Sequence, residues 1–217
     1  MAKLYFRYGA MNSGKSTALL QAAYNYEERG QRVLLAKPSL DTKGADQIVS
    51  RLGVTRDVDV LVPAEARLRE LFTQYAQAEP AGSLLEGTAL GQDPTLRGQV
   101  KPVACLLVDE AQFLTADQVD DLLRIAVLDG VPVLAYGIRT DFRTRSFTGS
   151  ARLMDIAHSL EELKTVCRCG RKAVFNTRRI GDEIVLEGDQ VAIDGEQVWY
   201  ESLCAACYLE VSVGRLG

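Results

Sequence analysis

The sequence predicts an α/β protein: a mainly parallel sheet flanked by helices, followed by a small β-rich unit. Three observations carry this prediction. Strand-like and helix-like patterns alternate through roughly the first 160 residues. Two runs, "VACLLV" from Val103 and "VPVLAYGI" from Val131, are almost continuously apolar, as strands buried on both faces of a parallel sheet are. Beyond residue 160, short β-like runs alternate with glycine turns and hold four of the five cysteines.

The elements follow in order. "KLYFRYG" (Lys3 to Gly9) reads as a strand entering a glycine turn. "KSTALLQAAYNYEERG" is a helix, since Ala18, Leu19, Ala22, Ala23 and Tyr26 recur at helical spacing and Gly30 suits its end. Arg32 to Lys37 and Val58 to Val62 read as strands. Pro38 to Arg56, with no clean period, reads as a mobile surface segment. "PAEARLRELFTQYAQA" opens with a proline and continues as a helix. Residues 79–102 are rich in Gly and Pro and are expected to form an inserted flexible loop. The Val103 strand ends in two carboxylates. A helix with Thr115 as N-cap comes next, then the Val131 strand. "ELKTV", "KAVFNTRR" and "QVWYE" are the β-like runs of the second unit. The expected division is 1–160 and 161–217, and the smaller unit is short enough to need a metal staple.

Composition narrows the function classes. A 47% hydrophobic and 25% charged chain is an ordinary globular protein. A net charge of -4 without a long basic run argues against a nucleic-acid partner. No apolar run approaches a membrane span and the start lacks a signal-peptide segment, so a cytoplasmic protein is expected. There, clustered cysteines are metal ligands or reactive thiols more often than disulfides.

"GAMNSGKS" (Gly9, Ala10, Met11, Asn12, Ser13, Gly14, Lys15, Ser16) fits the phosphate-binding P-loop pattern, with a strand before it and a helix after. The glycines let backbone N–H groups close on phosphate oxygens, and the helix N-terminus adds partial positive charge. Lys15 would reach the β- and γ-phosphates of ATP, and the Ser16 hydroxyl would ligate Mg²⁺. In "LLVDEAQF", Asp109 fits the acid that helps hold Mg²⁺ and Glu110 fits a general base, with Ala111 and Gln112 beside the nucleotide. If Glu110 activates water, the protein is an ATPase; if it activates a substrate hydroxyl, a kinase.

Together, "MNSGKST", "DEAQF", "YGIRTDF", "ELKTVCRCGRKA" and "YESLCAAC" resemble the zinc-containing class of thymidine kinases over almost the whole chain. The main departure is the segment at 79–102. The resemblance implies a P-loop NTPase-type sheet with a small zinc-stapled unit carrying a lasso loop. It implies transfer of the ATP γ-phosphoryl group to the 5′-hydroxyl of thymidine, and of deoxyuridine, in nucleotide salvage. Glu110 would accept the hydroxyl proton. A homotetramer and feedback inhibition by thymidine triphosphate are implied as well. Met11, Phe113 and Phe142 match positions that pack around the base. Val191, Ala192, Ile193, Asp194 and Gly195 match the lasso loop, whose backbone would read the thymine edge, and Tyr200 would cover the nucleoside. Asp194-Gly195 stands where a Gly-Gly pair is common.

Cys204-x-x-Cys207 has ordinary zinc spacing, whereas Cys167-x-Cys169 is one residue short. Residues two apart on a strand line the same face, and a turn at Gly170 can bring both thiolates onto one ion. Four thiolates complete a closed structural zinc site. A redox pair would need a thioredoxin-like context, which is absent. Cys105 reads as a small buried residue and His158 as structural. Arg139, Arg143 and Arg145 fit a solvated loop as well as a phosphoryl-facing group. A zinc-ribbon nucleic-acid module is the third reading, with Arg168, Arg171, Lys172, Arg178 and Arg179 as its basic surface.

Overall fold

A computed structural model of the chain describes residues 1–40, 46–78, 100–190 and 198–216. The lasso residues Val191 to Gly195 and positions 79–99 of the expected insertion lie outside the described residues.

The first unit contains β1 (Leu4–Tyr8), α1 (Lys15–Glu27), β2 (Arg32–Pro38), β3 (Gln47–Val49), β4 (Thr55–Asp57), β5 (Val60–Val62), α2 (Leu68–Gln77), β6 (Val103–Val108), α3 (Ala116–Leu128), β7 (Val133–Gly137), α4 (Thr148–Ile156) and β8 (Ser159–Glu162). Six strands form one sheet in the order β5-β2-β6-β7-β1-β8, and every ladder in it is parallel. Side chains alternate across the pleat, so each strand feeds two cores. Leu34, Ala36, Leu106 and Val108 face α2, α3 and α4 through Leu68, Phe72, Leu122, Ile125 and Leu153. Val33, Leu35, Cys105 and Leu107 face α1 through Leu19, Leu20 and Ala23. The double coverage explains the unbroken apolar runs, and it makes Cys105 the small buried residue expected.

Three local findings qualify the sequence reading. Pro38 to Arg56 is not simply surface loop: β3 and β4 pair antiparallel, and Ile48 enters the α1-side core. Runs of three residues are too short to show a period. "ELKTV" splits, with Glu162 closing β8 on the edge of the main sheet and Thr165 opening β9 (Thr165–Val166). His158 pairs with Leu4 in both directions: its N–H donates to the Leu4 carbonyl and its Nδ1 accepts the Leu4 N–H at 3.1 Å.

Thr115 caps α3 through a full capping box, its hydroxyl accepting the Gln118 N–H at 3.2 Å while the Gln118 side chain accepts the Thr115 N–H at 3.1 Å. Thr115→Ala is expected to lower stability by about 1 kcal/mol, measured by denaturant titration, with activity unchanged. At the far end of the sheet, Arg32 donates to the carbonyls of Tyr75, Ala76 and Ala78, closing α2, and also to that of Lys101.

The second unit contains β9, β10 (Lys172–Ala173), β11 (Phe175–Ile180), β12 (Glu183–Val185), β13 (Val198–Leu203) and α5 (Ala205–Val211). Strands β12, β11 and β13 form an antiparallel sheet. Its core is small, consisting of Cys167, Ala173, Leu203, Cys204, Cys207 and Tyr208 with Phe175 and Val211 against it. The Tyr208 hydroxyl donates to the Phe142 carbonyl at 2.9 Å and ties this core to the loop after β7.

Candidate active site

The candidate phosphate loop leaves β1 at Gly9, whose N–H donates to the Gly137 carbonyl. A side chain at Gly9 would collide with the Leu163 carbonyl and with Ser13, so only glycine fits. Two left-handed residues then reverse the chain: Asn12 at φ 67° and Gly14 at φ 78°. Glycine adopts this region without steric cost, and asparagine is among the few other residues that enter it readily. The reversal lets α1 begin at Lys15, aiming the free N–H groups and partial positive charge of a 13-residue helix into the loop. The Lys15 ammonium is buried there and donates to the Ala10 carbonyl at 2.9 Å.

Two strands over from β1, Asp109 ends β6 and is only 5% exposed. Its N–H donates to the Ala36 carbonyl, and its Oδ2 accepts the Ser16 hydroxyl at 3.2 Å. Burial, and then the negative charge of Glu110, push the Asp109 carboxyl up to about 7. A divalent cation would relieve both effects, by replacing lost water and by offsetting repulsion. A carboxylate and a hydroxyl are the hard oxygen donors that Mg²⁺ takes, so Ser16 and Asp109 fit that ion.

Glu110 has φ 47°, a strained left-handed conformation for a residue with a side chain. The strain is held by its surroundings. Gln112 is buried and uses both ends of its amide. Its Nε2 donates to Glu110 Oε2 at 2.5 Å, and its Oε1 accepts the Ile138 N–H at 3.1 Å. A Cβ at Gly137 would come within 2.7 Å of Gln112 Oε1. A Cβ at Gly149 would lie 2.5 to 2.9 Å from three carbonyls of the turn that starts at Ala111. Two glycines therefore let β7 and α4 press against the carboxylate's support. Ala111 itself is fully buried in the core.

The residues expected around a nucleoside are only partly gathered. The Arg178 guanidinium lies 3.9 Å from the Phe142 ring centroid, and its Nε donates to the Tyr200 hydroxyl at 3.0 Å, so those two aromatics share one partner. Its remaining N–H groups donate to the carbonyls of Asp189 and Gln190. Phe113 instead packs edge-on against Phe147, with centroids 5.6 Å apart. Of the arginines after β7, Arg143 is tied to Asp141 at 3.2 Å. Arg139 lines a small crevice with Gly9, Ala10 and Asn176.

The four clustered cysteines converge. Gly170 turns at φ 83°, its N–H donates to the Cys167 carbonyl, and Cys167 and Cys169 come to the same side. The sulfurs of Cys167, Cys169, Cys204 and Cys207 all lie within 4.8 Å of one another, with Cys169 and Cys204 at 3.5 Å. A tetrahedral zinc with bonds of about 2.3 Å sets its sulfurs about 3.8 Å apart, so the cluster fits that ion. The Cys207 N–H holds the Cys204 thiol down to about 6, while hydrogen bonds from Cys169 and Cys167 push Cys207 up to about 12, so the thiols share protons among themselves and the fit to a metal rests on their spacing.

Two side chains at this site, Asn176 and Ser202, carry no mark in the sequence, and Arg178 is marked there only as part of a basic surface. Their partners are distant along the chain, and no spacing rule links them.

Comparison with known proteins agrees with this geometry. The family model described as thymidine kinase matches residues 2–77 and 91–208, and the break between the two stretches overlaps the first half of the expected insertion. The thymidine kinase of Novosphingobium aromaticivorans is 46% identical over 179 residues, covering 82% of this chain and 81% of that protein. The thymidine kinase of Idiomarina loihiensis is 44% identical over 94% of this chain and 98% of its own length. The thymidine kinase of Enterobacteria phage T4 is 41% identical over 98% of both chains.

Proposed function

The chain belongs to the thymidine kinase family, and from that premise we propose that its catalytic machinery is the loop Gly9–Ser16, Asp109 and Glu110. The protein is an ATP-dependent nucleoside kinase that phosphorylates thymidine in nucleotide salvage. Deoxyuridine is the second substrate we assign. In the reaction, Glu110 takes the proton of the 5′-hydroxyl as that oxygen bonds to the γ-phosphorus. The bond to the bridging oxygen breaks, and ADP leaves. Gly9 to Gly14 and Lys15 bind the triphosphate, with Ala111 and Gln112 supporting the acid pair. Ser16 and Asp109 would hold Mg²⁺, which would offset phosphate charge.

The single observation that carries this assignment is the Ser16–Asp109 contact at 3.2 Å beside Glu110. It joins a loop residue to an acid 93 positions away and leaves a second carboxylate adjacent to it. Met11, Phe113, Phe142 and Tyr200 are assigned to the nucleoside, as is the backbone of Val191 to Gly195. We assign the zinc-held unit to the residues after β8, since Glu161 and Glu162 pair with β1 and move the boundary expected at 161 past Glu162, with Cys167, Cys169, Cys204 and Cys207 as ligands. We also assign a homotetramer, feedback inhibition by thymidine triphosphate and a cytoplasmic location. No helix among the described residues is long and apolar enough to cross a membrane. The family match favours neither the ATPase nor the nucleic-acid reading.

The test is direct. With ATP and Mg²⁺, the purified protein should convert thymidine to its monophosphate with one ADP formed per turnover. ATP hydrolysis at a rate indifferent to thymidine is the result that would overturn the assignment.

A further inference from the structure

Met11 lies in the first half of the phosphate loop, yet both of its backbone polar groups are taken by the second unit. Its N–H donates to Asn176 Oδ1 at 2.7 Å, and its carbonyl accepts the Ser202 hydroxyl at 2.5 Å. These side chains are 165 and 191 positions away. They are also directly opposite each other in the β11–β13 ladder, so one cross-strand pair grips one residue. Both are buried, at 2% and 8% exposure. The far end of the Asn176 amide donates to the Thr140 carbonyl at 3.1 Å, bracing the grip against the loop after β7. A third contact, from the Thr165 hydroxyl to the Asn12 carbonyl at 3.3 Å, falls on the next residue.

We propose that Asn176 and Ser202 are positioning residues for the triphosphate: they fix the Met11 backbone and so set the shape of the phosphate loop. Met11 immediately precedes Asn12, where the left-handed reversal starts. The conformation that aims the loop's N–H groups is one of many open to a free chain, and ordering it costs entropy unless something holds it beforehand. The two side chains supply that hold, so the loop meets ATP already shaped. The donor site therefore depends on the unit that carries the acceptor-side residues Tyr200 and Arg178. This inference rests on the loop being the ATP site.

Its test is ATP affinity, measured by calorimetry on the full-length zinc-loaded protein, beside the thymidine KM at saturating ATP. Asn176→Ala leaves the Met11 N–H without a partner and should weaken ATP about tenfold or more, with thymidine KM moving far less. Ser202→Ala removes the other contact and should act in the same direction. If Asn176→Ala does not fold, Ser202→Ala decides. Thr177→Ala is the control. That buried neighbour donates to the Glu201 carbonyl across the same two strands and makes no hydrogen bond to the loop among the described residues, so ATP affinity should stay within about twofold of native.

A folded Asn176→Ala or Ser202→Ala protein with native ATP affinity overturns the proposal. So does an equal loss in Thr177→Ala, which would mean only that the strand pair had loosened. Failure of the native protein to bind ATP would instead overturn the assignment of the loop itself.

Discussion

Glu110→Gln is expected to lower turnover by about 10²- to 10⁴-fold, the usual worth of a positioned general base, while ATP affinity stays near native. The substitution keeps the size of the side chain and removes only its ability to take a proton. The backbone strain at φ 47°, the contact with Gln112 and the neighbouring Asp109 all belong to one carboxylate position. A merely structural role for Glu110 predicts a loss of stability with little loss of rate. Steady-state kinetics and a nucleotide titration on the same preparation separate the two. Turnover within tenfold of native would remove Glu110 from the role of base.

The second large effect is expected from Cys204→Ser. One of four thiolates is lost from a cluster whose sulfurs lie within 4.8 Å, and three of the six buried residues of the surrounding core are cysteines of that cluster. The purified variant should contain well under one zinc per chain, against about one in the native protein. Losing a structural metal costs several kcal/mol, and each kcal/mol moves the melting temperature of a chain this size by about 2–4 °C, so a fall of about 10 °C or more is expected. Thymidine phosphorylation should fall with it, because Ser202 and Tyr200 lie on the strand that leads into Cys204. Chelator treatment of the native protein should reproduce the loss. Native melting in a demonstrably zinc-free variant would rule out a structural metal.

The phosphate loop, the two acids, the buried strands and the Thr115 cap were legible in the sequence because each is local. A motif, an apolar run or a three-residue spacing contains all the information required. Features formed by contact between distant segments were not legible. The pairing of β3 with β4 rests on three-residue strands, along which burial alternates but which are too short for that alternation to register as a period in the sequence. The edge strand β8 is mostly polar and half-exposed, so it reads like the β-like runs that follow it. Helix α4 was missed because its packing depends on the close approach of Gly149 to the turn after Glu110. The short Cys167-x-Cys169 spacing is a mixed case. The glycine that rescues it is visible in the sequence, but only its φ of 83° establishes the turn.

Arg32 has a consequence for how the chain can be rebuilt. Its guanidinium holds the carbonyl of Ala78, where the chain leaves α2, and that of Lys101, where it comes back toward β6. The exit and return points are thus neighbours, latched by one side chain at the rim of the sheet. Closing a longer loop between fixed neighbours costs only about 0.6 kcal/mol for each doubling of its length. This is the splice point of the molecule: a shortened connection, or a whole guest domain with adjacent termini, could be joined there without shifting the register of β2 against β6.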